Sequence, residues 1–128
     1  HFMEKYYLGP TTKTPEIILD HEKGNLEFNG RSIPENAVDF YKPVVDWVIE
    51  YAETPDAPST TVNVRLEYFN TSSSKCLVEI FRHLEKLAVK GEHPIYIKWF
   101  VEADDDGMIE SGEDFREIIK LPLEMVIM

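Results

Sequence analysis

Between Thr60 and Ala88 the spacing of apolar residues changes from two to three and four. Val62, Val64, Leu66 and Tyr68 alternate with Asn63, Arg65 and Glu67, the pattern of a strand with one buried face. Leu77, Ile80, Phe81, Leu84, Leu87 and Ala88 then recur at helical spacing, and Gly91 is placed to end that helix in a left-handed conformation. A strand that runs straight into an amphipathic helix needs a crossover back to a sheet, so this switch constrains the fold to helices packed on strands. Thr71, Ser72, Ser73 and Ser74 fill the junction, although a helix start needs only one capping hydroxyl.

The flanking sequence extends the same alternation. Glu16 to Asp20 and Asn25 to Asn29 are short β-rich runs around a Gly24-Asn25 turn signal, and they read as a hairpin. Ser32-Ile33-Pro34-Glu35 has capping-box spacing, which predicts a helix capped by Ser32 with Glu35 reaching back and Pro34 in the first turn. Val38, Tyr41, Val45, Val48 and Ala52 form its apolar stripe, widened by Phe40, Val44, Trp47 and Tyr51. Pro43 predicts a kink or two consecutive short helices. After a loop at 53–59 and the central strand–helix pair, Ile95 to Val101 reads as a strand and 103–107 as an acidic turn. Ile109 to Lys120 reads as a third helix and Leu123 to Ile127 as a last strand. The expected fold is α/β, a mixed sheet with parallel crossovers, in a single domain over 16–128. Residues 1–15 are read as a polar lead-in whose opening His1-Phe2 is a tag remnant before Met3.

Charge narrows the partners. Thirteen Lys and Arg stand against 24 Asp and Glu, a formal net charge of -11, which would repel nucleic acid across most of the surface. Cys76 is the single cysteine, so an internal disulfide and a cysteine zinc cage are both excluded, in keeping with a reducing compartment. No apolar run approaches the roughly 20 residues of a membrane span. The expected location is cytoplasmic, without direct membrane insertion.

Several residues invite a chemical role. From spacing alone, the hydroxyl run reads as a redundant cap or as a modification site, with Ser72 or Ser73 capping the helix and Lys75 supplying a nearby cation. A small hydrolase would need one of these serines paired with a base such as His83, which lies more than two helical turns along. His21 and His93 fall in turns and complete no triad, and Trp47 and Trp99 read as core or interface residues. Cys76 on the first turn could carry a lowered thiol pKa, or simply be a small buried residue. Asp104, Asp105 and Asp106 could attract a cation or a basic partner, but they lack an EF-hand ligand ladder and read as a solvated turn with helix-start acids. No catalytic residue, metal or cofactor is expected.

The order of elements, with a hydroxyl-rich turn between the third strand and its helix, resembles the STAS domains of anti-sigma-factor antagonists. More specifically, GRSIPENAVDFY at Gly30 to Tyr41, YFNTSSSK at Tyr68 to Lys75 and WFVEADDDGMIESGEDF at Trp99 to Phe115 resemble the SiaC-type regulatory phosphoproteins. That resemblance implies a non-enzymatic bacterial switch, phosphorylated by a dedicated kinase and reset by a PP2C-type phosphatase. When unphosphorylated, such a switch binds and activates a diguanylate cyclase that promotes biofilm formation. Carried onto this chain, it makes Thr71 the acceptor, with Asn70, Ser72, Ser73, Ser74 and Lys75 as its surroundings.

Overall fold

Each helix of this chain carries it from one parallel strand to the next strand along. The computed structural model describes residues 3–128; the expected tag remnant, His1-Phe2, lies outside them. The elements run β1 (Tyr6–Leu8), β2 (Glu16–Asp20), β3 (Asn25–Ser32), α1 (Ala37–Glu53), β4 (Thr60–Phe69), α2 (Thr71–Lys90), β5 (Ile95–Val101), α3 (Asp106–Ile118) and β6 (Leu123–Ile127). They form one sheet in sequence order, β1-β2-β3-β4-β5-β6. Its first two pairings are antiparallel and its last three parallel. Right-handed crossovers that advance in one direction put all their helices on the same face. Alternate strand residues, among them Ile17, Leu26, Phe28, Val64, Ile97 and Trp99, accordingly join buried residues of all three helices in one core. The other phase carries a polar ladder: Asn63 donates to Asn25 (2.9 Å), Arg65 to Glu27 (3.4 Å), and the Arg65 guanidinium lies 4.0 Å from the Phe100 ring centroid.

The mixed α/β sheet matches the expectation, and the differences are local. Tyr6–Leu8, read as lead-in, is a strand paired to Ile17–Leu19, and Trp47 Nε1 donates to the Glu4 carbonyl at 2.7 Å. Three residues are too few to show a period, so only pairing reveals this strand. Ser32 does not cap α1. It is the last residue of β3, and Asn36 caps α1 by accepting from the Asp39 N–H at 3.1 Å. Pro34 disfavours helical geometry at Ile33, which lets the chain stay extended past Ser32. Pro43 sits inside one continuous helix rather than splitting it. Val38 is 71% exposed, so the buried stripe of α1 does not include it.

Two other departures occur at strand and helix ends. Gly30, at φ 109°, pairs with Leu66, whereas Arg31 pairs with Tyr68, leaving Glu67 as the extra residue of a bulge. One extra residue reverses which side chains face the core. Tyr68, expected inside, is therefore 51% exposed beneath the Arg31 guanidinium, while Phe69 packs on Trp99 and Phe115. Gly91 closes α2 with right-handed angles (φ −92°), and the left-handed position falls on Glu92 at φ 49°. In the β2–β3 turn, Gly24 combines φ 65° with a backbone approach that leaves no room for a Cβ, which would stand 2.1 Å from the Ser59 carbonyl oxygen.

Candidate functional site

The bulge at Glu67 delivers β4 to α2 through one residue, Asn70. Its extended backbone (φ −85°, ψ 172°) makes it the cap that Ser72 or Ser73 was expected to supply. The Asn70 side chain accepts from the Ser73 N–H at 2.8 Å, its carbonyl accepts from the Ser74 N–H at 3.0 Å, and its own N–H donates to the Ser32 carbonyl at 3.0 Å. With Asn70 as cap, Thr71 becomes the first helical residue.

The four hydroxyls then separate by environment. Thr71 and Ser72 are exposed, Ser74 is half-buried, and Ser73 is fully buried. Ser73 belongs to a closed chain of hydroxyls with two residues distant in sequence. Tyr41 Oη lies 2.6 Å from Ser32 Oγ, Ser32 Oγ is 2.8 Å from Ser73 Oγ, and Ser73 Oγ is 3.1 Å from the Ser32 carbonyl. Each hydroxyl has one proton. Every proton finds an acceptor when Tyr41 donates to Ser32, Ser32 to Ser73, and Ser73 to the carbonyl. Burial pushes the Tyr41 phenol up to about 12, against a smaller opposing effect of its bond to Ser32. The chain ties the end of β3, the second turn of α1 and the first turn of α2 into one buried unit, so Ser73 is structural.

Thr71 and Ser72 thus face solvent on the helix turn that has the least internal hydrogen bonding. The first-turn N–H groups of a helix have no partners within it, and the dipole places partial positive charge there. Lys75 is exposed and four residues after Thr71, on the same side of the helix. A phosphate on Thr71 would meet both the helix start and this cation.

The other candidates fall elsewhere. His83 is about 16 Å along α2 from Ser72 at 1.5 Å per residue. It lines a trough of about 600 Å³ with Lys86, Leu87 and Gly91 rather than approaching the hydroxyls. His21 pairs with Asp56 through Nδ1 (2.5 Å), and His93 pairs with the Thr60 hydroxyl through Nε2 (2.8 Å), so among the described residues no serine–histidine pairing of a hydrolase is assembled. Burial, and to a lesser degree Glu79, raise the Cys76 thiol pKa, the reverse of an activated thiolate. Asp105 caps α3 by accepting from the Met108 N–H at 3.1 Å, Asp106 lies in its first turn, and Asp104 is exposed. Asp105 also borders a groove of about 250 Å³ with Glu67, Tyr68 and Phe69, which brings the acidic turn to the strand end that leads into Thr71. Among the described residues, no group of three or more His, Cys, Asp or Glu is arranged to hold a metal ion. Also among them, no helix is long and apolar enough to cross a membrane.

Ser32 and Tyr41 were invisible as parts of this site. Ser32 and Ser73 are separated by 41 residues, and no local spacing connects them.

Comparison with known proteins agrees across nearly the whole chain. The profile described as SiaC family regulatory phosphoprotein matches residues 8–128. An uncharacterized protein of Pseudomonas aeruginosa strain UCBPP-PA14 is 32% identical over 120 residues, covering 94% of each chain. The crystal structure of apo-SiaC from Pseudomonas aeruginosa superposes with a TM-score of 0.88 at 31% identity, covering 97% of this chain and 99% of that one. The crystal structure of the diguanylate cyclase SiaD in complex with its activator SiaC, from the same organism, matches with a TM-score of 0.88 at 30% identity over 96% of this chain and 99% of that chain.

Proposed function

The chain belongs to the SiaC family of regulatory phosphoproteins, and from that premise we propose that it is a non-enzymatic switch whose reversible charge is carried by Thr71. A dedicated kinase adds the phosphate and a PP2C-type phosphatase removes it. In the unphosphorylated state the protein binds and activates a diguanylate cyclase in the bacterial cytoplasm, linking the switch to c-di-GMP signalling and biofilm control. The likeness to SiaC solved with a cyclase supports the partner. The observation that carries the site is the division of labour at the start of α2, where Asn70 caps, Ser73 is buried in the hydroxyl chain and Thr71 is left exposed.

Physical chemistry supplies a mechanism. Phosphorylation adds about −1.5 to −2 charges and strong acceptor oxygens. The helix start and Lys75 stabilise that group locally without unfolding the domain. Placed within a partner's footprint, the dianion must be desolvated and repels neighbouring acids, so binding weakens. Asp104, Asp105 and Asp106, brought towards the same end of the sheet, extend the docking surface for a basic patch on the partner.

The direct test is incubation with the kinase and ATP. One phosphate should be gained by the natural chain and none by Thr71→Ala, and the phosphorylated form should lose stimulation of the cyclase. A single phosphate still gained by Thr71→Ala, or equal stimulation by both forms, overturns the reading.

A further inference from the structure

The two edges of the sheet are treated differently. Edge strands are normally blunted because unpaired backbone groups invite other chains. At one edge, β1 has only three residues, follows Lys5, and is succeeded by Gly9-Pro10. At the other, β6 is Leu-Glu-Met-Val-Ile, five residues without proline, glycine or lysine.

The phase of β6 follows from its ends. The Pro122 carbonyl accepts from the Ile97 N–H at 2.9 Å, and the Met128 N–H donates to the Val101 carbonyl at 2.8 Å. In a parallel ladder alternate residues make the bonds, so Glu124 and Val126 direct their backbone groups to β5. Leu123, Met125 and Ile127 direct theirs outward. Arg116 Nε reaches the Leu123 carbonyl from that outer side at 3.2 Å, as this phase requires. Ile127 adds an apolar side chain that is 57% exposed.

We propose that the outer edge of β6 is a docking strand that takes an extended, basic and apolar segment of a partner protein as a seventh strand of the sheet. Backbone bonds to Met125 and Ile127 supply the pairing, and Ile127 supplies apolar contact. Charge selects the occupant. Glu124 lies on the strand, and the neighbouring α3 carries Asp106, Glu110, Glu113, Asp114 and Glu117 against Arg116 alone. A second copy would set this acidic helix against its own like, on a chain already at -11. A basic segment meets complementary charge.

The test is residue-resolved amide hydrogen exchange by NMR on the full chain, with a peptide of about seven residues alternating lysine and valine as probe. In the chain alone, Met125 and Ile127 should exchange freely while Glu124 and Val126 are protected. The peptide should slow exchange at those two sites by about tenfold or more, and a glutamate–valine peptide should not. Ile127→Pro removes an outward donor without removing a bond to β5, so it should abolish the peptide effect while Glu124 and Val126 stay protected. The proposal is overturned by no slowing at millimolar peptide, by equal slowing with the acidic peptide, or by slowing that persists in Ile127→Pro. Protection in the chain alone that rises with concentration, alongside a dimer in sedimentation velocity, would identify a second copy as the occupant and overturn it equally.

Discussion

If Tyr41, Ser32 and Ser73 form a one-way chain of hydroxyl donors, deleting its middle must cost more than deleting its start. Ser32→Ala takes from the Tyr41 hydroxyl, on a residue only 1% exposed, the acceptor 2.6 Å away, and it takes from Ser73 the proton it was receiving. An orphaned buried donor costs about 1–3 kcal/mol, so with the lost second bond the expected destabilisation is about 2–3 kcal/mol. Tyr41→Phe removes only the first donor and leaves the Ser32–Ser73 and Ser73–carbonyl bonds in place, for a cost of about 1 kcal/mol. The double substitution removes the orphan together with its lost partner. Its cost should therefore fall short of the sum of the singles by about 1 kcal/mol or more. Urea denaturation followed by circular dichroism gives all four stabilities, and in a chain of this length 1 kcal/mol also moves the melting temperature by about 4 °C. Additivity within about 0.3 kcal/mol, or a Tyr41→Phe cost exceeding that of Ser32→Ala, would refute the directional chain.

Asn70→Ala should cost about 1 kcal/mol as a lost cap, whereas Thr71→Ala, at an exposed position, should stay within about 0.5 kcal/mol of the natural chain while losing its phosphate acceptance; paired urea melts and intact-mass measurement separate the two. Gly112→Ala places a Cβ 2.7 Å from Trp99 Cδ1 and 2.8 Å from Met125 Cε, against an indole held by its bond to the Met108 carbonyl. A loss of about 1–3 kcal/mol should appear in a thermal melt, and an unchanged melting temperature would contradict the packing. Burial lowers the His93 pKa from its ordinary 6.5. The folded chain therefore takes up that proton at lower pH than the unfolded chain does. The stabilising contribution of neutral His93 is complete above 6.5 and is lost as pH falls below it through the lowered folded value. Urea midpoints across that range should drop more steeply for the natural chain than for His93→Gln, and parallel curves would contradict this.

Periodicity alone established much of this protein. The strands β3 and β4 are written as repeats of two and the three helices as repeats of three and four, because each element buries one side and its neighbours in sequence record which; β2, β5 and β6 are legible as short, mainly apolar runs. The hydroxyl run at 71–74 was also legible, as more capping side chains than one helix start requires, and Thr71 within it is the acceptor proposed above. What only the tertiary structure decided was which hydroxyl does what. Asn70 became the cap because the strand end holds its backbone extended against Ser32, and Ser73 became structural because Ser32 and Tyr41 converge on it from elements far away in the chain. Tyr68 and Phe69 exchanged faces for the same kind of reason: a bulge is a mismatch between two strands, and a single strand's own residues cannot record it. Patterns of burial are local along the chain and can be read there, whereas hydrogen bonds between distant elements exist only once the sheet has brought them together.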